Sequence, residues 1–187
     1  MMALSEEKTL FAGANSDDSS FIELYDYYFP KIYNYVHYRV ADFHAAEDLV
    51  SLVFEKIFTR FESYRPEKAP LSAWIFSIAR NTITDYYRRR GLIHFDSLDT
   101  SAEVTTADPD PGDVVCFNEV QQHLIKALSS LKQREREVIA LKFWSGLSNS
   151  DIANLVGISE SNTGVIIFRA MRHLRTILES QGVSINA

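Results

Sequence analysis

From Phe21 onward the apolar residues of this chain return at steps of three and four, and no stretch sustains the alternation of a half-buried strand. That regularity confines the chain to helices. Phe21, Leu24, Tyr25, Tyr28, Ile32, Tyr35 and Val36 mark a first helix, with Pro30 expected to kink or break it. A second helix is predicted over about Ala45–Phe61, carrying Leu49, Val50, Val53, Phe54, Ile57 and Phe58 on one face. YRPEKAP, residues 64–70, holds two prolines and reads as a loop. A third helix, about Leu71–Arg90, is expected to bury Trp74, Ile75, Ile78, Ala79 and Ile83 and to end in the basic run Arg88, Arg89, Arg90.

Residues 91–116 lose the period and contain the breaker run DPDPGD, so they read as a linker. As a flexible coil the segment would span roughly 30 Å, against about 85 Å fully drawn out. Beyond it, Val120, Leu124, Ala127, Leu128 and Leu131 form another amphipathic stripe. Glu135–Phe143 makes a short helix, and paired helices at 148–178 follow. Glycine (7) and proline (5) are too sparse in 187 residues for a turn-rich β architecture. The predicted fold class is therefore all-α: two small helical bundles joined by an acidic flexible linker, the second containing a helix-turn-helix. The expected divisions are a lead-in over 1–20, a first domain over 21–90, the linker over 91–116, a second domain over 117–180 and a tail over 181–187.

A net charge of −6 argues against a nucleic-acid partner at first sight. Its distribution reverses that reading. Residues 61–91 carry six Lys/Arg against three Asp/Glu, and residues 121–187 carry eight against five. Between them, residues 92–120 hold seven acids and no base. Two basic segments thus flank an acidic one. The lone Cys116 forms no internal disulfide and suits a reducing cytoplasm. No apolar run approaches the ~20 residues of a membrane span, and MMALSEEKTLF lacks a signal-peptide layout. A cytoplasmic location without direct membrane insertion is expected. Histidines 37, 44, 94, 123 and 173 are scattered, and neither zinc-ligand spacing nor a phosphate-binding glycine loop occurs. No metal, cofactor or enzymatic activity is expected.

SGLSNSDIANLVGISESNTGVIIFRAMRHLR has the mechanics of a helix-turn-helix. Ser148 can cap the first helix, with Asp151 in a capping-box relation. Ile152 and Leu155 face inward, and the small Ala153 permits close approach of the second helix. Gly157 stands where the turn needs positive φ, and Ile158 plugs the space between the helices. Ser159 caps the second helix, whose inward face is expected to be Thr163, Ile167, Ala170, Met171 and Leu174. Glu160, Ser161 and Asn162 would meet base edges, while Arg169, Arg172, His173 and Arg175 would line phosphates. A plain helical hairpin is the alternative. In LSAWIFSIARNTITDYYRRR and the loop before it, Tyr64, Trp74, Tyr86 and Tyr87 interleave with Arg65, Lys68, Arg80 and Arg88–Arg90. Rings and cations so mixed suit single-stranded nucleic acid; a core tryptophan beside a solvated helix end is the other reading.

Both constellations, in this order around an acidic tether, resemble the extracytoplasmic-function (ECF) sigma factors of bacterial RNA polymerase. The resemblance runs from about Phe21 to Leu178. FIELYDYYFPKIYNYV looks like the opening helices, and HAAEDLVSLVFEKIF like the helix that docks on the polymerase clamp. FESYRPEKAPLSAWIFSIARNTITDYYRRR is similar to the promoter-melting segment, and LKQREREVIALKFWSGLSNSDIANLVGIS to the C-terminal DNA-binding region.

The resemblance implies roles. Asp48, Leu49, Ser51, Leu52 and Glu55 would bind core RNA polymerase at the clamp helices of the largest subunit, and the flap of the second largest would be a further polymerase partner. Tyr64, Lys68, Ser72, Trp74, Arg80, Asn81, Arg88 and Arg89 would open and hold the −10 element. Ser159, Glu160, Ser161, Asn162, Arg169 and Arg172 would read the −35 element as duplex. The acidic linker would thread a channel built for a polyanion, and a cognate anti-sigma factor would be the regulatory partner.

Departures from the family pattern are visible. Ser51 and Leu52 replace the usual Gln and acid, and Ser77 stands where a cation is common. Gly164 and Ile166 occupy positions often basic in relatives, which weakens phosphate anchoring. Gly164 also costs the helix about 1 kcal/mol relative to Ala. The competing functions are a helix-turn-helix regulator that binds duplex DNA without polymerase, and a helical interaction module with no DNA role.

Overall fold

The computed structural model describes residues 18–40, 42–91, 127–128 and 130–182. The predicted linker beyond residue 91, Cys116 and most of the helix through Val120 and Leu124 lie outside the described residues. Among the described residues there are helices and no strand.

Helix α1 spans Asp18–Arg39, and Pro30 lies inside it. Of the expected kink or break, the break does not occur, since one helix runs through Pro30. Pro30 removes one helical hydrogen bond, but Tyr28 on one side of it and Ile32, Tyr35 and Val36 on the other are all fully buried. Packing therefore holds both halves in one helix. Helix α2, Phe43–Arg60, starts at Asp42, whose carboxylate accepts from the Ala45 amide at 3.0 Å. Its inward face is Ala46, Leu49, Val50, Val53, Phe54 and Ile57. Phe58, expected on that face, is instead 62% exposed. It lies about 100° round the helix from Ile57 and meets Phe21 edge-on at 5.0 Å. A short 3₁₀ turn, Phe61–Ser63, and the Pro-containing loop lead to helix α3, Leu71–Arg89. These three helices pack on one another as a first bundle.

The second bundle contains α4, Gln133–Ala140, which runs into a π-helical turn at Leu141–Ser145. That turn closes at Gly146, φ +70°. Helix α5, Asn149–Val156, and helix α6, Glu160–Ser180, follow. Both α4 and α5 pack on α6. Of the expected inward face of α6, Thr163, Ala170 and Leu174 are buried and Ile167 is half-buried. Met171 is 42% exposed and belongs to the outer face, one residue past the inward Ala170.

The bundles are not held apart. Helix α1 lies against α4 and the π-turn, and α3 lies against α5 and the same turn. Val138, Ala140, Leu141, Leu147 and Ile152 join the core of the first bundle, whereas Ile139 joins a second cluster with Ala127, Leu131, Ala170, Leu174 and Leu178. The five residues Glu137–Leu141 are consequently all buried. Among the described residues no helix is long and apolar enough to cross a membrane.

Candidate nucleic-acid interface

The helix-turn-helix forms with the chemistry its sequence carries. The Ser148 hydroxyl oxygen accepts from the Asp151 amide at 3.1 Å and its proton goes to the Asp151 carboxylate at 2.5 Å. Gly157 adopts φ +77°, and the amides of Gly157 and Ile158 both donate to the Ala153 carbonyl, at 2.9 and 3.0 Å. This left-handed residue satisfies carbonyls the helix end would leave open. The Ser159 hydroxyl then accepts from the Asn162 amide at 3.2 Å. Ile152 and Ala153 are buried where the helices meet, with Leu155 and Ile158 half-buried.

Glu160, Ser161, Asn162, Arg169 and Arg172 are exposed on α6, as is Ser159 in front of it. The Ser159 hydroxyl is already engaged as a cap. Val165 and Phe168, which sequence reasoning did not single out, are 41% and 68% exposed. They share a stripe with Ser161 and Arg172, because steps of three and four return to one helix face. Between Ser161 and Leu178 this helix carries Arg169, Arg172, His173 and Arg175 and no acid. Arg175 spends its charge on Glu179 at 2.9 Å.

The second candidate region is anchored by aromatics. Trp74 is half-buried, its ring 5.3 Å from Tyr64 and 6.1 Å from Phe61. Tyr64 is only 5% exposed, and its hydroxyl donates to the Ala69 carbonyl at 2.9 Å. The loop is further tied by Arg65, which donates to the carbonyls of Glu62 at 2.7 Å and Tyr64 at 3.0 Å. Tyr64 and Ser72 are thus packed inside, and Trp74 shows one part of its ring. Lys68, Asn81, Arg88 and Arg89 are exposed. Arg88 pairs with Asp85 at 2.8 Å, and Arg90 lies 3.7 Å from Asp42 and over the Tyr86 ring at 4.7 Å.

Arg80 is placed differently. Its Nε donates to the Glu137 carboxylate at 2.8 Å, and Arg39 approaches the same oxygen at 3.2 Å. Burial alone would raise the Glu137 carboxyl, but the Arg39 and Arg80 guanidiniums outweigh it and hold the group below its ordinary value. Sequence reasoning missed this triad, since nothing local links residues so far apart. On α2, Asp48, Ser51 and Glu55 are exposed, Leu52 is half-buried, and Leu49 is a core residue at 6% exposure.

Comparison with known proteins gives two family matches: sigma-70 region 2 over residues 24–93 and sigma-70 region 4 over residues 121–174. The ECF RNA polymerase sigma factor BldN of Streptomyces coelicolor is 30% identical over 167 residues, covering 85% of this chain and 60% of that protein. The ECF RNA polymerase sigma factor SigM of Bacillus subtilis is 28% identical over 163 residues, covering 87% of this chain and 96% of that one. Among solved structures, the sigma factor RpoE from Bartonella quintana, in complex with the anti-sigma factor NepR, shares the fold. Its TM-score is 0.64 at 24% identity, over 85% of this chain and 96% of that chain. With two sigma-70 regions in family order on a shared helical frame, this chain belongs to the extracytoplasmic-function group of the sigma-70 family.

Proposed function

We propose that this chain is a sigma factor: it binds core RNA polymerase in the cytoplasm and directs initiation at promoters by opening a −10 element and reading a −35 element. The observation that carries the reading is the presence on one chain of both family regions in order. The first ends in the exposed cations Arg88 and Arg89, and the second in a capped helix-turn-helix. Lys68, Trp74, Arg80, Asn81, Arg88 and Arg89 take the −10 strand, with Tyr64 and Ser72 building the loop and helix that aim them. On α6, the exposed Glu160, Ser161 and Asn162 meet bases and Arg169 and Arg172 meet phosphates. Asp48, Ser51, Leu52 and Glu55 form the polymerase face, with Leu49 supporting it from the core. The functional division falls at residues 21–90 and 117–180, and catalysis rests with the polymerase. The relative solved with NepR makes an anti-sigma factor a natural partner.

The test is reconstitution. Purified chain and core polymerase are incubated with a library of promoter fragments, and transcript starts are mapped. A common −10/−35 pair upstream of the starts is the expected result. Binding of the duplex −35 sequence without any association with core polymerase would leave a conventional regulator instead.

A further inference from the structure

Helix α6 turns an apolar pair toward water on the face that carries its cations. Val165 is 41% exposed and Phe168 68%, more than any other large apolar side chain among the described residues. Residues three and four apart share a helix face, so the pair stands in line with the exposed Ser161 before it and Arg172 after it. Gly164, one turn before Phe168, has no side chain to cover the ring, and a Cβ there would meet only Asn149 Nδ2, at 3.9 Å. Arg169 is exposed beside the pair, and no acid occurs from Ser161 to Leu178.

We propose that Val165 and Phe168 form an apolar slot that reads thymine in the −35 element through its C5 methyl group. The proposal deepens the promoter-binding reading above and rests on it. Cations without acids around the pair select a polyanion, and the pair itself needs an apolar group on that polyanion. The thymine methyl is the one apolar group that a base pair displays in the major groove; the other base edges there present hydrogen-bond donors and acceptors. Duplex DNA with thymine at this level of the groove meets both demands at once.

Position and spacing fit that occupant. Both residues lie in the first half of α6, and Val165 stands one turn beyond Ser161, at the end of the helix that enters the groove. They are about 4.5 Å apart along the axis, at ~1.5 Å per residue, against about 3.4 Å between base pairs. The pair therefore addresses one methyl, or two on adjacent base pairs. The core does not need either side chain, since Thr163 and Ala170 are the buried residues of this stretch. Side chains with no donor or acceptor discriminate by burial alone, and burying one methyl group corresponds to about fourfold in affinity. Such a contact neutralises no phosphate, so losing it leaves the salt dependence of binding unchanged.

The test uses the full chain assembled with core polymerase and a promoter fragment taken from the mapped starts. Each thymine of the −35 element, on either strand, is replaced in turn by deoxyuridine, which pairs identically and lacks only the C5 methyl. Fluorescence anisotropy over a salt series reads affinity and phosphate contacts, and circular dichroism reads helicity. For the wild type, one or two deoxyuridine positions are expected to weaken binding about fourfold each. Val165→Ser and Phe168→Ala, both at exposed positions, are expected to lose that discrimination and to keep the wild-type helicity and salt slope. A −35 element without thymine, or equal binding of every deoxyuridine fragment by the wild type, overturns the slot, as does undiminished discrimination by both variants. The deoxyuridine arm needs no variant and decides even if a substitution unfolds the helix. If Phe168→Ala leaves DNA binding intact and abolishes concentration-dependent self-association of the free chain, the patch belongs to a second copy and the slot is refuted. Failure of the wild type to select start sites would sink the sigma-factor reading separately, whereas indifference to the methyl with start sites intact sinks only the slot.

Discussion

Gly164 offers the sharpest test of how the recognition helix works. It lies in the first half of α6, and a Cβ built there meets only Asn149 Nδ2, at 3.9 Å, an ordinary van der Waals distance. Its φ is not left-handed, so nothing in the backbone requires glycine. Gly164→Ala is expected to stabilise the chain by about 1 kcal/mol, from helix propensity and a less free unfolded chain. For a protein of this length that is a rise in Tm of about 2–4 °C. Gly164→Lys keeps most of the gain, since Lys is also a good helix former, and adds a cation in the first half of α6. If that cation reaches a phosphate, the plot of log K against log[salt] steepens by about 0.9. Raising salt from about 50 to about 200 mM then weakens the variant roughly threefold more than the wild type. Urea melts by circular dichroism and anisotropy of a −35 duplex over a salt series give both numbers. A destabilised Gly164→Ala would mean the position needs close approach after all. An unchanged salt slope in a stable Gly164→Lys would place residue 164 away from the phosphates.

Three further outcomes follow from the geometry. The Glu137 pKa is depressed on folding, so its contribution is whole above the ordinary carboxylate value and lost as pH falls through the folded value. The wild type is therefore expected to lose more stability than Glu137→Gln between about pH 6 and about pH 3, and parallel melting curves would contradict this. Ser159→Ala removes the cap on the Asn162 amide and is expected to cost about 1 kcal/mol, which Ser159→Asp recovers in urea melts. Burial pushes the Tyr35 phenol up to about 12 and leaves its hydroxyl without a hydrogen bond. Tyr35→Phe keeps the edge-on contact with Phe76 at 5.3 Å and is expected to stabilise by about 1 kcal/mol; a loss would reveal a partner for that hydroxyl.

What could be read from the sequence was local. The second and third helices, the Ser148 and Ser159 caps and the left-handed Gly157 all rest on spacings of a few residues, and they formed as spaced. Pro30 does not end its helix, because that outcome is decided by the core around it and not by its ring alone. Tyr64 has the composition of a stacking platform, yet its hydroxyl is used by Ala69 and its ring by Trp74. Phe58 and Met171 each sit one residue beyond the apolar face they were assigned to, where periodicity is least decisive. The Arg80–Glu137 pair joins residues 57 apart across two bundles, and no short-range pattern encodes it.

The double burial of Glu137–Leu141 has a consequence for handling the protein in the cell. Val138 and Leu141 belong to the core shared with the first bundle, while Ile139 belongs to the other cluster. Parting the bundles without polymerase would strip cover from one side of this segment and from Tyr38 and Trp144. Such a surface invites aggregation and proteolysis. The resting fold therefore shelters an apolar strip, and a chain that opens too readily should be recovered as inclusion bodies or fragments unless polymerase is produced alongside it.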